Sequence, residues 1–286
     1  MSLWTGRRDG RRGVSHGRPI FDHERVRGTS RKRDRFGPMT PDQIAAFARR
    51  ALRIARTEIA AVSALFILAL GVTIFADLAE DMTEGDGRAF DEAVLATMRP
   101  GAMADPWGPG WLEGAALDLT ALGGTAVLSL FAVIVTGFLI LQRKRLSALL
   151  LALGLSGGVA LSEGLKALFG RERPPEALRA VETMSASFPS GHSLLSAVFY
   201  LSIGVMLTRA FPERRFKAYV IGVAVLLTLI VGLTRVYLAA HWATDVLAGW
   251  CAGAAWAMAL WLIAYGLQRR QTARPQAPHV LPVDEE

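Results

Sequence analysis

The sequence predicts an all-α, polytopic membrane protein: a six-transmembrane-helix bundle with its candidate active site at the outer membrane face. Three observations predict this. Of the 286 residues, 52% are hydrophobic, and the mean hydropathy is +0.32. Six apolar runs lie near the ~20-residue length that crosses a bilayer core, at 58–76, 119–141, 146–169, 192–209, 217–236 and 244–266. The connections between these runs alternate in Lys/Arg content, as expected when they alternate between the two sides of a membrane.

Taken in order, residues 1–56 come first, with 15 Lys/Arg against 5 Asp/Glu. This arm holds RRDGRR and RKRDR and little apolar periodicity, so it is expected to be largely disordered until about Pro41. From there PDQIAAFARRALRIAR has the pattern of a basic amphipathic helix on a membrane surface. The arm reads as a cytoplasmic topology signal facing anionic lipid, and no nucleic-acid partner is expected. The first apolar run begins near residue 58, too late for a cleavable signal peptide, and reads as a retained anchor.

The charge pattern then sets the topology. Residues 77–118 carry ten Asp/Glu and two Lys/Arg. By contrast, the turn after the second run is Gln142-Arg143-Lys144-Arg145. The turn after the fourth holds Arg209, Arg214, Arg215 and Lys217, and the tail after the sixth holds Arg269, Arg270 and Arg274. Six spans place all the basic connections and both termini in the cytoplasm, and the acidic segment outside. The domain reading is a basic cytoplasmic arm (1–56), a six-span domain (57–267) and a cytoplasmic tail (268–286). Between the first two spans, Trp107 and Trp111 suit the headgroup level, and the prolines predict short, broken interfacial helices. The single cysteine, Cys251, excludes a disulfide within the chain, and no Cys/His group has zinc spacing.

Three polar clusters interrupt the apolar background, and this topology puts them on the outer side. The first is KALFGRERP at 166–174. Lys166 follows Glu163 by one turn near the end of the third span, where an ionisable residue is costly and therefore a functional candidate. The helix should end near Gly170, and Pro174 forbids its continuation, which leaves Arg173 on the loop just outside. A lysine point charge and an arginine fork from adjacent backbone can converge on one phosphate. The same loop also carries Arg171 and Arg179, against the charge gradient, which suggests an anionic ligand.

The second cluster, PSGH at 189–192, opens the fourth span. Ser190 is a good helix N-cap, and the free N–H groups behind it favour an anion. Gly191 lets the backbone approach closely, and His192 projects from the first turn, where it can donate a proton to a leaving oxygen. The third cluster, RVYLAAHWATD at 235–245, joins the fifth and sixth spans. Arg235 ends one helix. His241 and Asp245 are four residues apart at the start of the next, on one face. A carboxylate on one ring nitrogen fixes the tautomer and raises the basicity of the other, which suits a nucleophile toward phosphorus. Tyr237 and Trp242 read as interface anchors. No acidic pair suggests bound magnesium, and three cations can take its place in neutralising a transition state.

The pattern K-x6-RP, PSGH, R-x5-H-x3-D resembles the type 2 phosphatidic acid phosphatase superfamily, over roughly residues 58–266. The resemblance implies that His241 attacks phosphorus and forms a phosphohistidine, oriented by Asp245, while His192 protonates the departing oxygen. Lys166, Arg173 and Arg235 would hold the phosphoryl oxygens with Ser190 and the Gly191 amide, with no metal and no cofactor. Thr234 stands where the family usually has serine, and it keeps a hydroxyl. The implied location is the bacterial inner membrane, with the site extracytoplasmic and a lipid phosphate as partner. Phosphatidylglycerophosphate, phosphatidic acid, undecaprenyl diphosphate and lipid A phosphate all fit. Two other functions use the same residues: a lipid phosphotransferase, or a non-catalytic protein that binds or transports a lipid phosphate.

Overall fold

The computed structural model describes residues 40–100, 106–181, 185–209 and 211–273. The basic arm up to residue 39 and the tail from residue 274 lie outside the described residues. Residues 53–286 form one compact unit, which contains the helical bundle and every contact of the site. Its described residues form helices and loops, with no strand. The helices are α1 (Pro41–Glu84), α2 (Arg88–Met98), α3 (Gly110–Ala121), α4 (Thr125–Leu141), α5 (Arg145–Phe169), α6 (Gly191–Thr208), α7 (Arg214–Tyr237) and α8 (Ala243–Ala273).

Five segments are long and apolar enough to cross a membrane: Glu58–Glu84, Arg145–Phe169, Gly191–Thr208, Arg214–Tyr237 and Ala243–Arg270. A sixth is the pair α3 and α4, bent by 44° at a short break. The expected span at 119–141 is therefore corrected. It starts earlier, at Gly110, and it is broken at 122–124. The break is invisible to a hydropathy window because Leu122-Gly123-Gly124 is itself apolar. The first span runs further than expected, to Glu84, because its last two turns are polar but still helical.

Lipid offers helices no hydrophobic reason to associate, so the bundle depends on close packing. α6 is the hub, packed on α4, α5, α7 and α8. Leu128, Leu151, Leu194 and Val198 are fully buried around it. α8 approaches closest. Gly249 and Gly253 form a G-x-x-x-G face, and a Cβ on Gly253 would lie 2.4 Å from the Leu194 carbonyl oxygen and 2.8 Å from Ala197 Cβ. α1 is peripheral. Ala64 packs against Ala257 and Met258, while Val62, Leu65, Phe66 and Leu70 face outward as a lipid-contacting surface should.

The same antiparallel packing gathers one set of helix ends. The C-termini of α5 and α7 and the N-termini of α6 and α8 carry the three polar clusters, and the topology brings them together. α5 stops at Gly170, in the left-handed region at φ 58°, whose N–H returns to the Lys166 carbonyl at 3.0 Å. α6 starts behind Ser190, whose backbone N–H reaches the Asp245 carbonyl at 2.9 Å and ties the first turns of α6 and α8 together.

Candidate active site

A cavity of about 140 Å³ lies among these helix ends. Lys166, Arg173, Gly191, His192, Arg235 and His241 all line it. Its size suits a phosphoryl group rather than a whole headgroup. Sequence positions up to 116 apart (125 and 241) thus meet in one place, because α4, α5, α6, α7 and α8 each bring one end to it.

Lys166, in the last turn of α5, points its ammonium at Glu163 (3.4 Å) and at the Ser185 hydroxyl (3.3 Å). Arg235 ends α7 and is 3% exposed. Its Nη1 donates to Thr120 Oγ1 at 3.1 Å, across from α3, and its Nε has no hydrogen-bond partner. Lys166 and Arg235 therefore have N–H groups to offer an incoming anion. Thr120, Ser162 and Thr125 were not singled out in the sequence. Thr120 fixes Arg235. Ser162 lines the cavity with a buried, unpartnered hydroxyl, and Thr125 lines it at the start of α4.

Arg173 has a second task that its motif does not reveal. Its Nε donates to the Ser185 carbonyl (2.7 Å), its Nη1 to the Ala240 carbonyl (2.6 Å) and its Nη2 to the Ala186 carbonyl (3.3 Å). Nη2 also reaches the Ser185 hydroxyl (3.2 Å), and Nη1 approaches His241 Nε2 at 3.2 Å. The fork thus stitches the 171–190 loop to the turn carrying His241. Burial lowers its pKa, against the pull of Asp245.

His241 is 2% exposed and lies in the turn before α8, not on the helix as the four-residue spacing implied. The turn brings its Nδ1 to 3.5 Å from Asp245 Oδ2. Ser187 sits between them. Its hydroxyl donates to Asp245 Oδ2 at 2.5 Å and lies 3.4 Å from His241 Nδ1. Arg173 donating to Nε2 requires the proton on Nδ1, and it places the Nε2 lone pair against Arg173, itself a cavity residue. Burial pushes the His241 imidazole down to about 4, despite Asp245 pulling it up, so the ring is neutral near pH 7.

Asp245 is completely buried and stands behind the cavity. It is the third residue of α8 and reaches back to accept the Trp242 N–H at 2.9 Å, as the acidic member of a capping box does. Its other oxygen accepts from Arg171 Nη1 at 2.5 Å. Arg171 also holds Asp91 of α2 (2.7 Å), and Asp91 in turn accepts from Thr244. The three arginines of the loop between α5 and α6 thus do different work. Arg173 faces the cavity, Arg171 bridges two carboxylates, and Arg179 pairs loosely with Glu176 at 3.9 Å.

Ser190 and Gly191 also divide. Ser190 is fully buried outside the cavity lining, and its hydroxyl accepts from the Ser193 N–H (3.4 Å) and hydroxyl (3.0 Å) as the α6 N-cap. Gly191 lines the cavity, where a Cβ would stand 3.1 Å from Ser162 Oγ and 3.3 Å from Lys166 Nζ. His192, one residue on, projects into the cavity from the first turn of α6. Tyr237 and Trp242, read as anchors, donate to the backbone carbonyls of Trp107 (2.9 Å) and Glu172 (3.0 Å). Among the described residues, no group of three or more His, Cys, Asp or Glu is placed to hold a metal ion.

The stretch that carries these residues is similar to known proteins. A sequence model of the PAP2 superfamily matches residues 145–269, the stretch that carries all three clusters. Phosphatidylglycerophosphatase B of Bacillus subtilis is 31% identical over 190 residues, which cover 66% of this chain and 86% of that protein. The crystal structure of a transmembrane PAP2-type phosphatidylglycerolphosphate phosphatase from Bacillus subtilis matches with a TM-score of 0.63 at 28% identity, covering 72% of this chain and 97% of that one.

Proposed function

The chain belongs to the PAP2 superfamily, and on that premise we propose that it is an integral membrane lipid phosphatase that works through a phosphohistidine on His241 without a metal ion. One observation carries the reading. The buried imidazole of His241 lines a phosphate-sized cavity with Lys166, Arg173, Arg235 and a second histidine, its Nε2 3.2 Å from Arg173.

The steps follow from the positions. Lys166 and Arg235 take the non-bridging phosphoryl oxygens, helped by the Gly191 N–H at the positive end of α6. Arg173 exchanges its contact with His241 Nε2 for a phosphoryl oxygen and frees the lone pair as substrate arrives. Nε2 forms the P–N bond while the ester P–O bond breaks, and His192, protonated once the negative phosphate sits among the cations, gives its proton to the leaving oxygen. His192, now neutral, takes a proton from water as that water attacks phosphorus. The P–N bond breaks, its electron pair returns to Nε2, and inorganic phosphate leaves. The positive charge on the His241 ring is balanced by Asp245 through Ser187. The fixed cations neutralise charge that a divalent metal would otherwise offset.

Phosphatidylglycerophosphate is the first substrate to try, because the relative and the structural neighbour are named for it. A membrane-spanning bacterial relative supports a bacterial membrane location. The charge pattern supports both termini inside and the cavity on the outer face. The test is phosphate release by the detergent-purified protein, with EDTA present, from phosphatidylglycerophosphate, phosphatidic acid, undecaprenyl diphosphate and a lipid A phosphate. Release from at least one lipid that His241→Ala abolishes supports the reading. Loss of the donor lipid's phosphate only when an acceptor lipid is added, with the phosphate recovered on that acceptor, points to phosphotransfer. Lipid binding without turnover points to a carrier. A reporter after residue 270 on the outer side would overturn the topology.

A further inference from the structure

Asp91 has no part in the catalytic steps, yet it is among the most deeply buried side chains of the molecule at 1% exposure. It lies on α2, an amphipathic helix outside the membrane spans, on the same buried face as Leu95. Its Oδ1 accepts the Thr244 N–H at 2.9 Å. Its Oδ2 accepts the Thr244 hydroxyl at 2.6 Å and Arg171 Nη2 at 2.7 Å. The other arm of Arg171 donates to Asp245 Oδ1 at 2.5 Å and to Thr244 Oγ1 at 2.8 Å. Two buried carboxylates therefore share one guanidinium, and Thr244 holds the three in register.

The charges decide what this does. Two carboxylates and one guanidinium sum to one negative charge, with both carboxylates buried and Asp245 beside His241. If Arg171 belonged to Asp245 alone, that pair would be neutral, and the carboxylate would attract the His241 ring weakly. Asp91 brings a second carboxylate to the same guanidinium, so Arg171 offsets only one of the two negative charges. The remaining negative charge is what a histidine ring needs when it becomes cationic on phosphorylation. Burial of both carboxylates, at 1% and 0% exposure, strengthens the effect.

We propose that Asp91 is a positioning residue for the reaction: its carboxylate offsets the Arg171 guanidinium that also holds Asp245, and so keeps a net negative charge behind His241. The inference rests on the reading of His241 as nucleophile. It also gives α2 a role beyond covering the end of the bundle, because the helix delivers a charge to a site more than 150 residues away in sequence.

The test is a double-mutant cycle on the full chain in detergent, with kcat and KM for phosphate release from phosphatidylglycerophosphate. The variants are D91N, R171M and D91N/R171M, with H241A as the control for the underlying reading. D91N is expected to lower kcat at least tenfold with KM within twofold. In the R171M background no guanidinium is left for Asp91 to offset, so D91N is expected to leave kcat within twofold of R171M. A D91N loss of the same size in both backgrounds, or a change in KM alone, would mean that Asp91 only docks α2 and would overturn the proposal. If R171M does not fold, D91N decides alone. The amide still offers an acceptor to the Thr244 N–H, so a tenfold fall in kcat at an unchanged unfolding midpoint supports the proposal, and kcat within twofold of wild type overturns it. If H241A retains activity, the nucleophile is wrong and the inference falls with it. If H241A is dead and D91N is fully active, only the inference falls.

Discussion

Replacing Ser187 with alanine tests how Asp245 is connected to His241. In the structure the direct His241 Nδ1 to Asp245 Oδ2 distance is 3.5 Å, too long for a good hydrogen bond. The hydroxyl of Ser187 bridges the gap, donating to Oδ2 at 2.5 Å and accepting across 3.4 Å. Ser187→Ala removes one oxygen and leaves only a small void, so packing suffers little. It deletes a hydrogen bond to a buried carboxylate, worth about 1.5–3 kcal/mol. Were all of that lost from the transition state, kcat would fall by about 10- to 100-fold. Two effects pull toward the lower end. Asp245 Oδ2 keeps the Trp242 N–H at 2.9 Å, and the imidazole can close the gap by a shift of well under about 1 Å. The expected outcome is about a tenfold loss of kcat with KM nearly unchanged, read as steady-state phosphate release from lipid in mixed micelles. A kcat within twofold of wild type would refute the bridge, and so would a raised KM at constant kcat.

Other outcomes rest on the same geometry. With burial holding the His241 imidazole near 4, the acid limb of kcat/KM should fall near pH 4, and a limb near the ordinary histidine value of about 6.5 would contradict this. Because the unfolded chain binds that proton more readily than the folded one, His241 costs the fold stability as pH drops from about 6.5 toward 4, and thermal unfolding midpoints across that window should show it. Arg173→Lys should lose activity at least 100-fold, since an ammonium cannot hold three separate carbonyls and a phosphoryl oxygen together, and limited proteolysis should cut the 171–190 loop faster. Gly253→Ala places a methyl 2.4 Å from the Leu194 carbonyl oxygen and should destabilise the α6–α8 seam by about 1–3 kcal/mol, seen as a lower unfolding midpoint in detergent.

The site is legible in the sequence because of contrast. Lys166, Arg173, His192, Arg235 and His241 are polar residues at the ends of apolar runs, where an ionisable group is expensive, and all of them line one cavity. Gly170 and Ser190 carry local signals of helix end and helix start, and both sit at those positions. What stays hidden depends on distant partners. Asp91 reads as one more acid on an acidic outer segment until Thr244 and Arg171 are seen around it. Thr120 reads as a threonine in an apolar helix until Arg235 reaches it across 115 residues. Ser187 adjoins a recognised motif, and a serine two residues ahead of the proline that opens it is the only signal available. The broken second span is hidden because Gly123 packs tightly against His192 and Val231, a constraint of tertiary contact that hydropathy does not record. The spacing of His241 and Asp245 predicts a contact correctly in residue terms, but a turn rather than a helix face provides it.

The central claim is that His241 carries the phosphoryl group. The most direct measurement is a rapid quench of the detergent-purified protein after mixing with phosphatidylglycerophosphate labelled in its terminal phosphate. The account predicts label on the protein within the first turnover, stable to alkali and released by acid, mapping to the peptide that contains His241 and absent from His241→Ala. Phosphate release by wild-type protein with no such label, or label that persists in His241→Ala, would contradict it.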